Sequence, residues 1–177
     1  MPSGKTHDAV TFLLAVPAFA VTYLATISIS MSSVVAAAFV FGGLMFGPDL
    51  DTVSRQYSRW FVLRFLWFPY RSFFKHRSRF SHGLLFGALI RVVYFMGVVT
   101  ALTFLAAYVY GVYSGGKLPG FIDFGRVWQP VGATVRQNFG EYFFLTAFIG
   151  LWLGAASHTF TDLAGSYIKT GRIAKLF

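Results

Sequence analysis

One uncharged stretch, AVTFLLAVPAFAVTYLATISISMSSVVAAAFVFGGLMFGP at residues 9–48, decides the fold of this chain. A membrane-spanning helix needs roughly 20 apolar residues, and this stretch holds 40. Four serines near its middle, at 28, 30, 32 and 33, are typical of a tight turn between antiparallel helices. The stretch therefore predicts two membrane helices, at about 9–29 and 32–48.

Two more apolar runs lie further along the chain. The first covers about 81–113 and is interrupted only by Arg91, and the second covers about 141–163. The segment 114–140 between them is rich in glycine and contains Pro119 and Pro130, so it predicts an external loop. We expect an all-α fold in which residues 1–177 form a single integral membrane domain, a four-helix transmembrane bundle.

The overall composition agrees with a membrane protein. Of the 177 residues, 56% are apolar and only 12% are charged, whereas charged residues make up about a quarter of an ordinary soluble domain. The chain has no cysteine, which excludes cysteine-ligated zinc and iron–sulfur sites and thiol nucleophiles. Any metal ligand must therefore come from His, Asp or Glu.

The start of the chain has a second interpretation, as a secretory signal peptide. Lys5 precedes the apolar stretch, and Ala18-Phe19-Ala20 resembles a cleavage site. A signal peptide has a short apolar core, and the run here continues for 40 residues. This length favours a membrane helix.

The basic residues predict the orientation in the membrane. In a chain that crosses four times, eleven of the fifteen lysines and arginines lie on one side: Lys5, seven between 52 and 80, and three after residue 168. Three others lie on the opposite side. Cytoplasmic segments carry the excess of Lys and Arg, so we expect both termini in the cytoplasm.

The segment 52–80, between the second and third helices, has ten aromatic residues and seven lysines or arginines but no acid. We predict that it lies along the membrane surface, with its arginines at anionic headgroups. The aromatic residues expected among the headgroups are Trp60, Phe61, Phe65, Trp67, Phe68, Phe73 and Phe74. The predicted partner is therefore membrane lipid and not nucleic acid. A plain cytoplasmic loop with an aromatic belt is the alternative.

Eight of the ten His, Asp and Glu residues form four short clusters. These are His7 with Asp8, Asp49 with Asp51, His76 with His82, and His158 with Asp162. The clusters lie at the start of helix one, the end of helix two, the start of helix three and near the end of helix four. In an up-down-up-down bundle these four places meet on one side, which is the predicted cytoplasmic side.

Several of these clusters have the spacing of metal ligands. His158 and Asp162 are four residues apart and share one helical face. Asp49 and Asp51 follow Gly47-Pro48, where a turn can direct two carboxylates inward, although a capped turn is the alternative. His and Asp within a membrane are costly and usually functional. Arg91 follows His82 by about half a turn out of phase, so we do not expect it in this site.

The motifs resemble a known family. They are Ser3-Gly-Lys-Thr-His7-Asp8, Gly47-Pro-Asp49-Leu-Asp51, His76-Arg-Ser-Arg-Phe-Ser-His82 and Ser157-His158-Thr-Phe-Thr-Asp162. Together they resemble a metal-binding membrane protein family of cyanobacteria and, more distantly, the YdjM-type membrane-bound metal-dependent hydrolases. The order of the motifs is also similar to that of zinc-dependent phospholipase C. Those enzymes use three zinc ions and more histidines, so the resemblance implies one or two ions here.

Two hypotheses about function follow. The first is a membrane-embedded metal-dependent hydrolase acting on a phosphoester of a lipid or another amphipathic molecule. Its predicted ligands are His7, Asp49, Asp51, His76, His82, His158 and Asp162. Asp51 would bridge two ions or act as the general base, and Asp8 would orient a histidine. The predicted headgroup-binding residues are Arg71, Arg77 and Arg79.

The second hypothesis is a non-catalytic protein with a structural or metal-sensing site. A closed coordination sphere would favour it, whereas an open position favours catalysis. Zinc is the predicted ion, with manganese or iron as alternatives. A homo-oligomer is compatible with the sequence.

Overall fold

The computed structural model describes residues 2–74, 78–83, 86–116, 118–126 and 128–171, and among these the regular structure is entirely helical. The α-helices in chain order are α1 (Gly4–Thr26), α2 (Ile29–Leu44), α3 (Arg55–Ser58), α4 (Phe68–Phe73), α5 (Arg79–His82), α6 (Phe86–Ser114), α7 (Phe121–Arg126), α8 (Trp128–Phe139) and α9 (Phe143–Thr170). Two 3₁₀ segments, Pro48–Asp51 and Phe61–Trp67, lie between them.

Among the described residues, four helical segments are long and apolar enough to cross a membrane. They are α1, α2 with the turn that follows it (Ile29–Asp51), α6 and α9. The predicted all-α fold with four membrane-spanning helices is thereby confirmed, and the chain is consistent with an integral membrane protein.

The first two spans are bounded by serine caps. The Ser3 hydroxyl accepts the Thr6 N–H at 3.2 Å, so α1 begins at Gly4 rather than near residue 9. Ile27 has a positive φ of 51°, and the Ser28 hydroxyl accepts the Met31 N–H. The turn is therefore confined to residues 27–28, and the later serines of the predicted turn belong to α2.

Glycines allow α2 and α9 to lie backbone against backbone. A Cβ at Gly154 would overlap the Phe39 carbonyl, and a Cβ at Gly150 would overlap that of Val35. Such close approach at small residues is a common basis of helix association in membranes, because the hydrophobic effect does not drive helices together in lipid. This packing holds the first half of α9 against the middle of α2.

The third and fourth spans differ from their predicted bounds. The run expected at 81–113 is divided into α5 and α6, with Gly83 after α5 outside both helices. The Ser78 hydroxyl accepts the Ser81 N–H and caps α5. The last span continues to Thr170, beyond the expected residue 163, because the next break in the backbone is Gly171 with a φ of 64°.

The predicted external loop 114–140 contains the helices α7 and α8. The indole N–H of Trp128 donates to the Thr100 hydroxyl of α6 at 2.8 Å. This bond fastens the start of α8 to the membrane helix.

The segment 52–80 does not lie wholly on the surface. Trp60 and Trp67 are buried with Phe46, their ring centroids about 5–6.5 Å apart, and Trp67 stacks on Phe95 of α6. The two tryptophans predicted among the headgroups therefore pack inside the protein, because this segment folds back between α2 and α6. Exposed side chains on its other side include Phe61 and Phe73.

Candidate metal centre

Each of the four polar clusters has at least one described residue at the same end of the bundle, as their place in the chain predicts. His7 lies on the second turn of α1, Asp49 on the turn after α2, His82 at the end of α5 and His158 in the second half of α9. His7, His82 and His158 are all buried. We call the end of the bundle that holds these residues the site end.

Three of these residues bring ligand atoms to one point. The candidate ligand atoms of His7, His158 and Asp162 all lie within 4.8 Å of one another. His7 Nε2 is 3.2 Å from Asp162 Oδ1, and His158 Nε2 is 3.9 Å from Asp162 Oδ2. The two imidazole rings stack with centroids 3.8 Å apart. Two histidines and a carboxylate are a donor set that suits Zn²⁺.

The surroundings of His158 also fit a cation. Its Nε2 atom is buried and makes no hydrogen bond, although Asp49 Oδ2 is 3.2 Å away. A buried nitrogen without a hydrogen bond costs free energy. The carboxylate oxygens of Asp49 and Asp162 lie near this nitrogen, as they would if all three residues bound the same cation. Asp49 is therefore positioned to complete the set.

Asp49 also faces a third histidine. Its Oδ1 is 3.6 Å from His82 Nε2, so the carboxylate lies between the rings of His82 and His158. Asp51 Oδ2 is 3.4 Å from Nδ1 on the other side of His82. Asp49 is thus placed to bridge, whereas Asp51 is placed to hold His82 in position, as carboxylates behind ligand histidines commonly do.

The two aspartates differ in their access to the pocket and in their effect on His82. The Asp51 side chain is 0% exposed, and that of Asp49 is 27% exposed. Burial lowers the pKa of His82, but the hydrogen bonds and charges of Asp49 and Asp51 outweigh burial and raise that pKa above its ordinary value. A cation bound through His82 would have to displace this proton.

Gln56, a residue that sequence reasoning missed, fixes the ring of His158. Its side-chain oxygen accepts the Asp49 N–H at 3.1 Å, and its amino group donates to the Gly43 carbonyl at 2.7 Å. These two backbone contacts orient the amide, so the amino group faces His158 Nδ1 at 3.1 Å. The neutral ring then has its proton on Nε2, and a cation bound there must displace it.

An open pocket of about 220 Å³ leads to the three clustered ligand residues. Its lining includes the site residues His7, Asp49, His158 and Asp162 together with Asp8, Arg55, Gln56 and Arg59.

The polar rim of this pocket is built around Asp8. Asp8 Oδ2 is 2.6 Å from Arg59 Nη2 and 3.1 Å from Arg55 Nη1. Asp8 therefore pairs with two arginines and with none of the three histidines that the structure describes, because α1 turns its side chain toward α3. The sequence does contain a signal for this pair of arginines: Arg55 and Arg59 follow the helix-capping residue Ser54 and are four residues apart, so they share one helical face.

Arg91 lies closer to the site than helical phase predicts. It is buried, and its Nη1 atom donates to the Ser81 carbonyl at 2.6 Å. Arg91 is not among the residues that line the pocket, but the chain leaves helical geometry at Gly83, so the phase of one continuous helix does not describe its position. Arg91 thus supports the turn that carries His82.

The remaining predicted residues lie elsewhere or outside the described ranges. The Arg71 guanidinium lies 4.6 Å from the centroid of the Tyr57 ring, and Arg71 is not among the residues lining the pocket. Arg79 is the first residue of α5. His76 and Arg77 fall outside the described residues, so their predicted roles as a ligand and a headgroup contact stay predictions.

These features define a class: a helical protein with four candidate membrane spans and a His/Asp cluster suited to a cation. The chain belongs to the family described as "Uncharacterized metal-binding protein (DUF2227)", whose model matches residues 2–172. All the clustered ligand residues lie within the matched range. Metal binding is therefore the property that the family and the geometry share.

The other similarities to known proteins cover only part of the chain. An Aquifex aeolicus protein, described as "Uncharacterized protein", is 37% identical over 57 residues, which are 32% of this chain and 40% of that protein. The chain thus matches less than half the length of this relative. No solved structure matches the chain.

Proposed function

We propose that the protein is a metal-dependent hydrolase whose substrate is a phosphoester of a lipid or another amphipathic molecule, bound at the membrane face. The observation that supports this proposal is the open pocket ending at His7, His158 and Asp162. A hydrolytic metal site needs a position that water or substrate can reach, whereas a structural site is closed by protein ligands.

The ligand set leaves room for catalysis. Three protein ligands and one open position are the usual arrangement of catalytic zinc sites. A bound divalent cation would supply Lewis acidity and a water molecule of lowered pKa. His7, His158 and Asp162 would hold that cation, and zinc is the ion that we expect, with manganese or iron as alternatives.

Asp49 is the carboxylate best placed to act as general base. It lines the pocket and is partly exposed, unlike Asp51. A general base must be within reach of the proton that it takes. We therefore assign this role to Asp49, and we assign to Asp51 the positioning of His82.

The test is to purify the full chain in detergent, load it with Zn²⁺ or Mn²⁺, and measure metal content together with hydrolysis of p-nitrophenyl phosphate, phosphatidic acid and phosphatidylglycerol. We expect Asp49→Asn to retain the metal but to lower the hydrolysis rate by about 100-fold or more. His158→Ala should lose both metal and activity. If the loaded, unmodified protein cleaves none of these phosphoesters, the hydrolase proposal is contradicted.

A second candidate function is structural metal binding. The Asp49 carboxylate is near enough to His158 to serve as a fourth ligand, which would close the coordination sphere. The ion would then tie α1 to α9 and the turn after α2. Under this alternative, Asp49→Asn lowers metal affinity, and metal removal lowers the melting temperature without any associated activity.

A further inference from the structure

The rim of the pocket has a charge arrangement that metal binding does not explain. Arg55 and Arg59 both pair with one oxygen of Asp8, Oδ2. One carboxylate neutralises one guanidinium, so this trio has a net charge of about +1 at neutral pH, because arginine stays charged. The pocket therefore has a positive charge at its rim, and it has a candidate cation site at its base, where the carboxylates of Asp49 and Asp162 lie.

Both arginines are held by contacts, although the Arg55 side chain is 53% exposed and that of Arg59 is 27% exposed. Arg59 Nη1 donates to the Leu44 carbonyl at 2.8 Å, while its other amino group donates to Asp8. The stem of Arg55 lies where a Cβ on Gly4 would be, at the first residue of α1. Both guanidiniums are thus directed toward the pocket that also contains His7 and Asp162.

We propose that Arg55 and Arg59 form the binding site for the phosphoryl group of the ligand, and that Asp8 occupies this site until the ligand displaces it. The inference rests on the proposed function, because it assigns the substrate-binding residues of the same pocket. A guanidinium pair recognises phosphate through charge-assisted hydrogen bonds. In this proposal Arg55 and Arg59 take the role that the sequence analysis assigned to Arg71, Arg77 and Arg79.

The shape of the pocket favours a phosphoryl group over a carboxylate. A phosphate monoester has three terminal oxygens and about two negative charges near neutral pH. Such a group can give one oxygen to a cation at the base and still offer others to the arginines at the rim. A carboxylate has two oxygens and a single charge, so with one oxygen on the cation it offers one oxygen to the two arginines.

The experiment measures inorganic phosphate binding by calorimetry on the full chain in detergent, with metal content determined on the same samples. We expect Arg59→Gln and Arg55→Gln each to weaken phosphate binding by about tenfold or more without changing metal content, since each removes a charge-assisted contact. Arg64→Gln is the matched control, because Arg64 is exposed on the same basic segment and is not among the pocket-lining residues.

Asp8→Asn separates this proposal from a purely structural ion pair. If Asp8 competes with the ligand, its neutral variant binds phosphate several-fold more tightly, by roughly the contribution of a charged hydrogen bond. A structural role for Asp8 predicts unchanged or weaker binding. Gly4→Ala adds a variant that leaves every charge in place, and it should weaken phosphate binding by displacing Arg55.

Two sources of the phosphoryl group are distinguished by competition. Nanodiscs of phosphatidylcholine with phosphatidic acid will compete with inorganic phosphate if the ligand is a lipid headgroup, and will not if it is a water-soluble phosphate compound. Equal phosphate binding by the Arg59→Gln variant and the unmodified chain overturns the inference. If the unmodified chain binds no metal, the proposed function fails, and the same arginine comparison on metal-free protein still decides the phosphate site.

Discussion

The two ends of the helical bundle are built differently. At the site end, segments from α1, the turn after α2, α5 and α9 are joined by buried histidines, carboxylates and Gln56. At the other end, α8 has no buried residue, and Trp128 with Thr100 provides a cross-link to α6. Buried polar groups reduce stability unless they are paired, so their concentration at one end indicates that function, rather than stability, determines that composition.

The largest expected effect tests whether the site end depends on a cation. His158→Ala removes a ligand nitrogen from the three-residue cluster, and we expect metal affinity to fall by about 100-fold or more, as loss of a direct ligand exceeds the 10–100-fold effect of outer contacts. Mass spectrometry measures the amount of bound metal in each variant. Thr161→Ala, on the same helix, serves as the control. Equal metal loss in both variants would contradict the assignment of His158 as a ligand.

The next effect compares the same substitution in two membrane helices. Gly154→Ala places a methyl group against the Phe39 carbonyl, whereas a Cβ at Gly97 of α6 meets nothing within 4 Å. We expect Gly154→Ala to lower the free energy of unfolding by about 1–3 kcal/mol through overpacking. Gly97→Ala should raise it by about 0.5 kcal/mol, since alanine restricts the unfolded chain.

Unfolding in mixed detergent micelles measures both glycine variants. Equal free energies of unfolding for the two variants would show that α9 and α6 are packed alike at these glycines, contrary to the close contact between α2 and α9.

A smaller effect sharpens the role of Gln56. In Gln56→Glu the carboxylate can still accept the Asp49 N–H and can now accept a proton from His158 Nδ1. This leaves Nε2 without its proton, so we expect metal affinity to rise, by up to about tenfold. Gln56→Leu removes the donor to Nδ1 without adding an acceptor, so it should raise the affinity by a smaller factor. Metal titration of both variants provides the measurement. Metal affinities equal to that of the unmodified chain would mean that Gln56 does not control where the His158 ring carries its proton.

The smallest effect concerns pH. The carboxylates of Asp49 and Asp51 raise the pKa of His82 in the folded protein, so the protonated ring contributes stability that is complete below its unfolded pKa of about 6.5. That contribution is lost as pH rises through the folded value. Chelator-treated protein should therefore melt at a lower temperature at about pH 9 than at about pH 6. The same decrease in melting temperature should be smaller in the His82→Gln variant.

The long-range order of the chain was predictable, and the local detail was not. Apolar runs and their count determine which helix ends meet, so the proximity of His7, Asp49 and His158 followed from topology alone. The burial of Trp60 and Trp67 did not, because headgroups and a protein core favour the same aromatic residues.

Three residues of the site end show further limits of sequence reasoning. Gln56 has no signal, since glutamine is common in turns and its three contacts come from separate elements. Arg59 was assigned to lipid because its role depends on how α3 is placed. The hydrogen bond of Arg91 to Ser81 could not be predicted, because helical phase assumes an unbroken helix and the chain leaves helical geometry at Gly83.

The contact between His7 and Asp162 has a consequence for biosynthesis. His7 belongs to α1 and Asp162 to α9, so the two can meet only after α9 has been made. Until α9 is inserted, His7 has neither its stacked ring nor its carboxylate. A chain whose translation stops before α9 therefore lacks the cation-binding cluster, and metal content reports how completely the protein has been assembled.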